Sequence, residues 1–187
     1  MVRLAEKYEL MDEKTAVRII RRISDEILER NKTTDNVVII GIQTKGAAIA
    51  KLIAKRIKET EGVDIPVGSM DITFYRDDLT LMHEHPVING NDIPFSVHKK
   101  DIVLVDDVLY SGRTIRAAID EIFDFGRPES VQLAILIDRK HRQLPISADY
   151  TGKEVPVSAN ENINVEFNDD GSVKRVTICD IIKNTTI

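Results

Sequence analysis

The chain has 187 residues, 26 basic against 31 acidic, for a formal net charge of −5. That length suits one domain that buries roughly 70% of its unfolded surface without staples. The acidic balance argues against non-specific coating of nucleic acid or anionic membrane, and the single Cys179 excludes an internal disulfide.

No zinc-cluster spacing occurs, and Met1 to Lys7 has no apolar signal region. The longest core-like apolar run, Leu133 to Ile137, falls far below the ~20 residues of a membrane span, so a soluble cytoplasmic protein is expected. Trp is absent and aromatics are 5%, which disfavours base-stacking platforms.

The spacing of Ala16, Ile20, Ile23 and Ile27 predicts a helix over Asp12 to Asn31, with Asp12 as N-cap. Val37 to Ile40 is a β-branched run ending at Gly41 and predicts a buried strand. A helix follows from about Gly46 to before Gly62, then a strand over Val67 to Phe74. Tyr75 to Lys100, with two prolines, scattered charges and no period, reads as a long loop with room for a short strand pair, and loops of that length are usually functional or mobile. Ile102 to Val105 is unbroken apolar, as in a parallel sheet covered on both faces. Ile115, Ala118, Ile119, Ile122 and Phe123 give helical spacing, stopped by Gly126 and Pro128. Ser130 to Asp138 is the next strand, and Asn162 to Phe167 with Val173 to Ile178 flank a hairpin turn. Alternating strands and helices predict right-handed crossovers and a parallel sheet.

The chemistry concentrates in Val105-Asp106-Asp107-Val108-Leu109-Tyr110-Ser111-Gly112-Arg113-Thr114. A buried strand runs into two carboxylates, a small-residue loop and a helix start. Ligands of open α/β sheets bind at such strand ends. Free amides and the helix dipole at Ser111 to Thr114 suit a phosphate, and Gly112 lets backbone approach an anion. Asp106 and Asp107 point to opposite sides of a strand and would repel an anion, so they suit sugar hydroxyls or a divalent cation. A ribose diol with Mg²⁺ satisfies both demands. A solvated acidic turn is the bland alternative. Gly41 to Gly46 has Walker A glycine spacing, but Ala47-Ala48 stand where that motif needs Lys and Ser or Thr. It is a second candidate anion loop, with Lys45 supplying charge, or a plain turn.

These residues resemble the PRPP-binding motif of type I phosphoribosyltransferases. Within them the chain is similar to the family of bifunctional pyrimidine operon attenuation regulators and uracil phosphoribosyltransferases, the PyrR family. The likeness continues in Gly41 to Gly46, Asp71 to Leu79, Gly126-Arg127-Pro128 and Asp138 to Ile146, spanning roughly residues 12–160. It implies an α/β type I phosphoribosyltransferase fold: a central parallel sheet flanked by helices, with a small hood and C-terminal hairpin, all within one domain over 1–187. PRPP would be held by Thr44, Lys45, Asp106, Asp107, Val108, Leu109, Tyr110, Ser111, Gly112, Arg113 and Thr114. Asp106, Asp107 and Arg76 would be the catalytic set. Mg²⁺ would be met by Asp106 and Asp107 through ribose or water. Asp138 and Arg139 would begin base recognition. A non-proline cis peptide would mark the Thr44–Lys45 loop, and Tyr75 to about His98 would close over the site. The implied reaction is uracil plus PRPP giving UMP and pyrophosphate, with a purine base the alternative. The chain departs from the family at Lys45, usually Arg, and at Ser111, often Thr.

The resemblance also implies UMP-dependent binding to the pyr mRNA leader, and a homo-oligomer. Candidate RNA contacts are Arg18, Arg21, Arg22, Lys140, His141, Arg142 and Lys153. Charge is segregated along the chain: Arg139 to Lys153 is net +3 and Glu154 to Asp180 net −4. Against this, Arg22–Glu26 and Arg21–Asp25 are spaced as helical ion pairs, and Asp25 and Ser147 stand where regulators tend to be basic. An RNA-binding nucleotide sensor with little catalysis is the rival reading. His83-Glu84-His85 could ligate a metal, but no third ligand is near in sequence. Cys179 reads as a small hydrophobe.

Overall fold

An unbroken apolar strand is stable only if both of its faces are covered. A computed structural model, describing residues 2–72 and 90–183, shows how this chain supplies that cover. In chain order the elements are β1 Val2–Asp12, α1 Glu13–Asn31, β2 Val37–Ile42, α2 Lys45–Glu61, β3 Val67–Met70 and β4 Asp101–Leu109. They continue with α3 Arg113–Phe125, β5 Ser130–Asp138, β6 Tyr150–Glu154, β7 Glu161–Phe167 and β8 Val173–Lys183.

Five strands form a sheet in the order β3-β2-β4-β5-β6, with every neighbouring pair parallel. Side chains alternate across it. Val103 and Val105 join the core under α1 and α2, whereas Ile102 and Leu104 join the core under α3. α1 starts where expected: the Asp12 side chain accepts the Thr15 amide at 2.8 Å, and Ala16, Ile20, Ile23 and Ile27 are its buried stripe.

A second sheet, antiparallel in the order β1-β8-β7, packs on the α1 side. The expected hairpin is β7 and β8, and Cys179 is buried within it. This sheet is the hood implied by the resemblance. It takes its outer strand from the very start of the chain, because β1 pairs with β8 from Val2↔Lys183 to Asp12↔Arg175. β4 does not stop at Val105 but carries both aspartates to Leu109, because β5 pairs with it as far as Leu109↔Asp138. β3 ends at Met70, short of the expected Phe74. β6 had no sequence signal. It is a sheet-edge strand placed by its register with β5, Ala134↔Tyr150 to Asp138↔Glu154. No helix among the described residues is long and apolar enough to cross a membrane.

Candidate active site

The carboxyl end of β4 opens into Tyr110-Ser111-Gly112 and then α3, so the acidic pair and the loop are one continuous feature. Gly112 takes the N-cap position of α3 at φ 92°, a left-handed conformation that glycine adopts without penalty. The amides of Gly112 and Thr114 donate to no described residue, and that of Arg113 lies 3.4 Å from Ser111 Oγ. Unpaired donors at a helix start are the elements of an anion cradle. The loop is held from behind: Ser111 O accepts the amides of Gln143 and Leu144, and Arg113 Nε donates to Gln143 Oε1 at 2.9 Å.

Adjacent strand positions give the two aspartates different surroundings. Asp106 is buried, and its Oδ1 accepts the Asp107 amide at 2.9 Å. Burial pushes its carboxyl well above the ordinary carboxylate range. The Asp107 charge adds to that rise and Lys45 opposes it. Asp107 stays partly exposed, with Lys45 Nζ 3.6 Å from its Oδ2.

Lys45 arrives from another strand, and glycine explains how. The β2–α2 turn lies against β4 so closely that a Cβ on Gly46 would sit 2.4 Å from Val105 O and 3.0 Å from Asp106 Cα. The expected cis peptide is present, between Gln43 and Thr44. Gln43, which sequence reasoning passed over, ties this loop outward: its Nε2 donates to Gly90 O at 3.0 Å and to Ser69 Oγ at 3.3 Å. Asn91 Oδ1 accepts the Asp71 amide, and Asn91 Nδ2 donates to Glu121, a buried acid whose carboxyl burial pushes upward. Arg76, most of Asp71 to Leu79, His83-Glu84-His85 and residues 75–89 of the expected loop lie outside the described residues.

Asp138 ends β5 next to Leu109 and serves as a hub. Its Oδ1 accepts the Lys140 amide at 2.7 Å and its Oδ2 accepts Arg142 Nη2 at 2.6 Å, while Arg142 Nη1 donates to Tyr110 O. The Arg139 guanidinium is buried. It lies 4.0 Å over the Tyr110 ring and donates to Ser158 O and Glu161 O. His141 stacks on the same ring at 5.0 Å. Side chains expected to read a base or RNA therefore brace Tyr110 and the phosphate loop, a long-range arrangement with no local sequence signal.

Among the RNA candidates, Arg22 bonds Glu26 and also Thr151 O and Gly152 O, which brings α1 and the 139–153 segment to one face. Lys140 pairs with Glu154 at 2.9 Å, and Lys153 Nζ donates to Leu10 O. Arg18 and Arg21 are exposed. The expected Arg21–Asp25 pair does not form among the described residues, because Arg21 turns instead to a cleft beside α2.

A family model described as phosphoribosyl transferase domain matches residues 8–170. The chain is 56% identical over 180 residues to the bifunctional protein PyrR of Acetivibrio thermocellus, covering 96% of this chain and 98% of that protein. It is 53% identical over 175 residues to that of Clostridioides difficile, covering 94% and 99%. Among solved structures, a Trypanosoma cruzi hypoxanthine phosphoribosyltransferase shares the fold at a TM-score of 0.72 and 17% identity, covering 96% of each chain. One from Staphylococcus aureus does so at 0.65 and 22%, covering 84% of this chain and 81% of that one. With a parallel sheet that delivers two aspartates to an amide-lined turn, and with such relatives along nearly its whole length, this chain belongs to the PyrR family of phosphoribosyltransferases.

Proposed function

We propose that the chain, acting as one phosphoribosyltransferase domain in the cytoplasm, transfers the phosphoribosyl group of PRPP to uracil, giving UMP and pyrophosphate. The observation that carries this reading is the β4 end, where Asp106 and Asp107 lead into the open amides of Gly112 and Thr114 and Asp107 faces Lys45 across 3.6 Å. In this assignment the 5′-phosphate lies on Tyr110 to Thr114. Asp106 and Asp107 take the ribose hydroxyls, and Thr44 and Lys45 take the pyrophosphate. The base lies toward Asp138 and Arg139.

The C1–oxygen bond to pyrophosphate breaks, its electron pair leaving with pyrophosphate as positive charge grows on C1. A uracil nitrogen closes on that carbon, and its N–H proton passes to the departing pyrophosphate or to water. No covalent nucleophile is required. Fixing the sugar at two carboxylates and its phosphate at the helix start aligns C1 with the base. Lys45 stabilises charge on the leaving group. Among the described residues no three metal-ligating side chains cluster. The donor set here is two adjacent carboxylates beside the site for the diol, and Mg²⁺ accepts one or two carboxylates together with substrate oxygens. The residues therefore fit a Mg²⁺, which Asp106 and Asp107 would meet through the ribose or water and which would supply positive charge against the pyrophosphate. A cation there would also return Asp106 to its charged form.

The same chain regulates pyrimidine synthesis, in this proposal, by binding the pyr mRNA leader when UMP is bound. The support is the joining of α1 to the 139–153 segment through Arg22 and Gly152, together with the PyrR name of the relatives. Incubating the protein with Mg²⁺, PRPP and each base separately tests the transferase. Pyrophosphate release with uracil alone is expected. Release only with hypoxanthine or guanine overturns the assignment. UMP-dependent RNA retention without any turnover leaves a nucleotide sensor in its place.

A further inference from the structure

Gln43, at the cis peptide that introduces Thr44, is gripped from two sides. Its backbone amide donates to Met70 O at 2.8 Å, and its side chain donates to Ser69 Oγ and Gly90 O. A side-chain amide orients a loop only as firmly as its acceptor is fixed. Ser69 belongs to β3, whereas Gly90 lies outside every helix and strand. Its neighbours fix it. Ser69 and Asp92 exchange backbone hydrogen bonds at 2.8 and 2.9 Å. Asn91 accepts the Asp71 amide on Oδ1 and donates through Nδ2 to Glu121 Oε1.

Glu121 stands on the inner face of α3, 4% exposed, and its Oε2 is buried with no hydrogen-bond partner. Burial pushes the carboxyl upward and the Asn91 hydrogen bond opposes that rise, while the charges of Asp71 and Asp124 add to it. An apolar side chain of similar volume would fill this position without an unpaired polar atom. Packing therefore does not account for a carboxyl here, and the hold on Asn91 does. α3 begins at the Gly112–Thr114 cradle, so the Asn91–Glu121 bond connects that cradle to Thr44 and Lys45 by way of Gly90 and Gln43.

We propose that Glu121 and Asn91 are positioning residues that tie the pyrophosphate loop to α3 and so set its spacing from the 5′-phosphate cradle. This rests on Thr44 and Lys45 taking pyrophosphate, as assigned above. PRPP carries an anion at each end, so the two anion sites must keep one separation for C1 to meet the base. Both residues act through Gly90 and Gln43 rather than on substrate.

The test is titration of the full chain with magnesium pyrophosphate and, separately, with UMP, followed by NMR at the Thr44, Lys45 and Gly112 amides. Wild type should show saturable shifts of Thr44 and Lys45 with pyrophosphate and of Gly112 with UMP. Glu121→Leu and Asn91→Ala should each weaken pyrophosphate about fivefold or more, with UMP affinity within about twofold of wild type. Glu121→Gln keeps an oxygen for Asn91 Nδ2 and should recover most of the loss. Glu121→Leu should melt no lower than wild type, because it removes the unpaired buried oxygen. The double variant Gln43→Leu/Asn91→Ala should bind pyrophosphate no more weakly than the worse single variant, since both cut one tie. Pyrophosphate affinity within about twofold of wild type in folded Glu121→Leu and Asn91→Ala overturns the proposal and leaves the transferase reading intact. Equal weakening of both ligands with a lowered melting temperature marks a purely structural role and also overturns it. Wild type without pyrophosphate shifts at Thr44 and Lys45 overturns the assignment of that loop, and the positioning role with it.

Discussion

Gly46→Ala is the sharpest perturbation of the transferase centre. The added Cβ would lie 2.4 Å from Val105 O and 3.0 Å from Asp106 Cα, both backbone atoms that cannot swing aside. Ordinary contact begins near 3.4 Å, so the β2–α2 turn must retreat from β4 by about 1 Å. That retreat carries Thr44 and Lys45 away from Asp107, with Lys45 Nζ starting 3.6 Å from its carboxylate. Misplacement of a binding group by 1 Å can cost about 100-fold in rate, or ~2.7 kcal/mol of transition-state stabilisation. Overpacking of this kind typically costs a further 1–3 kcal/mol in stability. Pyrophosphate release should therefore show kcat/KM for PRPP reduced about 100-fold, with a lowered but cooperative thermal transition. A variant within about twofold of wild type would refute the claim that glycine at 46 sets the Lys45–Asp107 geometry.

Asp106→Asn should abolish most turnover yet stabilise the fold. The carboxyl of the folded protein is raised, so wild type loses stability as pH climbs from about 4 through that raised value, and the neutral amide does not. The melting temperatures of the two proteins should converge near pH 4 and separate toward pH 8, with the variant higher; the reverse order contradicts the assignment. Lys45→Ala should raise KM for PRPP about tenfold without moving the melting temperature, and Lys45→Arg should recover wild-type affinity or better through its paired donors. Arg142→Ala leaves Asp138, 3% exposed, without its ion-pair partner and frees Tyr110 O, so urea denaturation should show a loss of about 3 kcal/mol. A loss under about 0.5 kcal/mol would show that Arg142 does not brace the phosphate loop.

The parallel sheet and the phosphate loop were legible because both leave local signatures. An apolar run covered on both faces cannot alternate, and an amide cradle needs small residues directly after a strand. The acidic pair was legible as chemistry, but the difference between its members was not. Only the β5 register, which carries β4 on to Leu109, sets Asp106 inside and Asp107 at the edge. β1 and β6 gave no signal for the same reason: each is placed by a partner distant in sequence, β8 for one and β5 for the other. Arg142 looked like an RNA-facing surface cation and Arg139 like a base-reading residue, because charge and spacing do not reveal which way a side chain turns. The structure has them spanning from β5 to Tyr110 and to the backbone at Ser158 and Glu161.

The most direct measurement is a crystal structure of the protein soaked with UMP. The 5′-phosphate should rest on the amides of 111–114 at the start of α3, with the ribose hydroxyls on Asp106 and Asp107 and the uracil ring beyond Asp138. A nucleotide bound at any other place, with that turn left empty, would contradict the account.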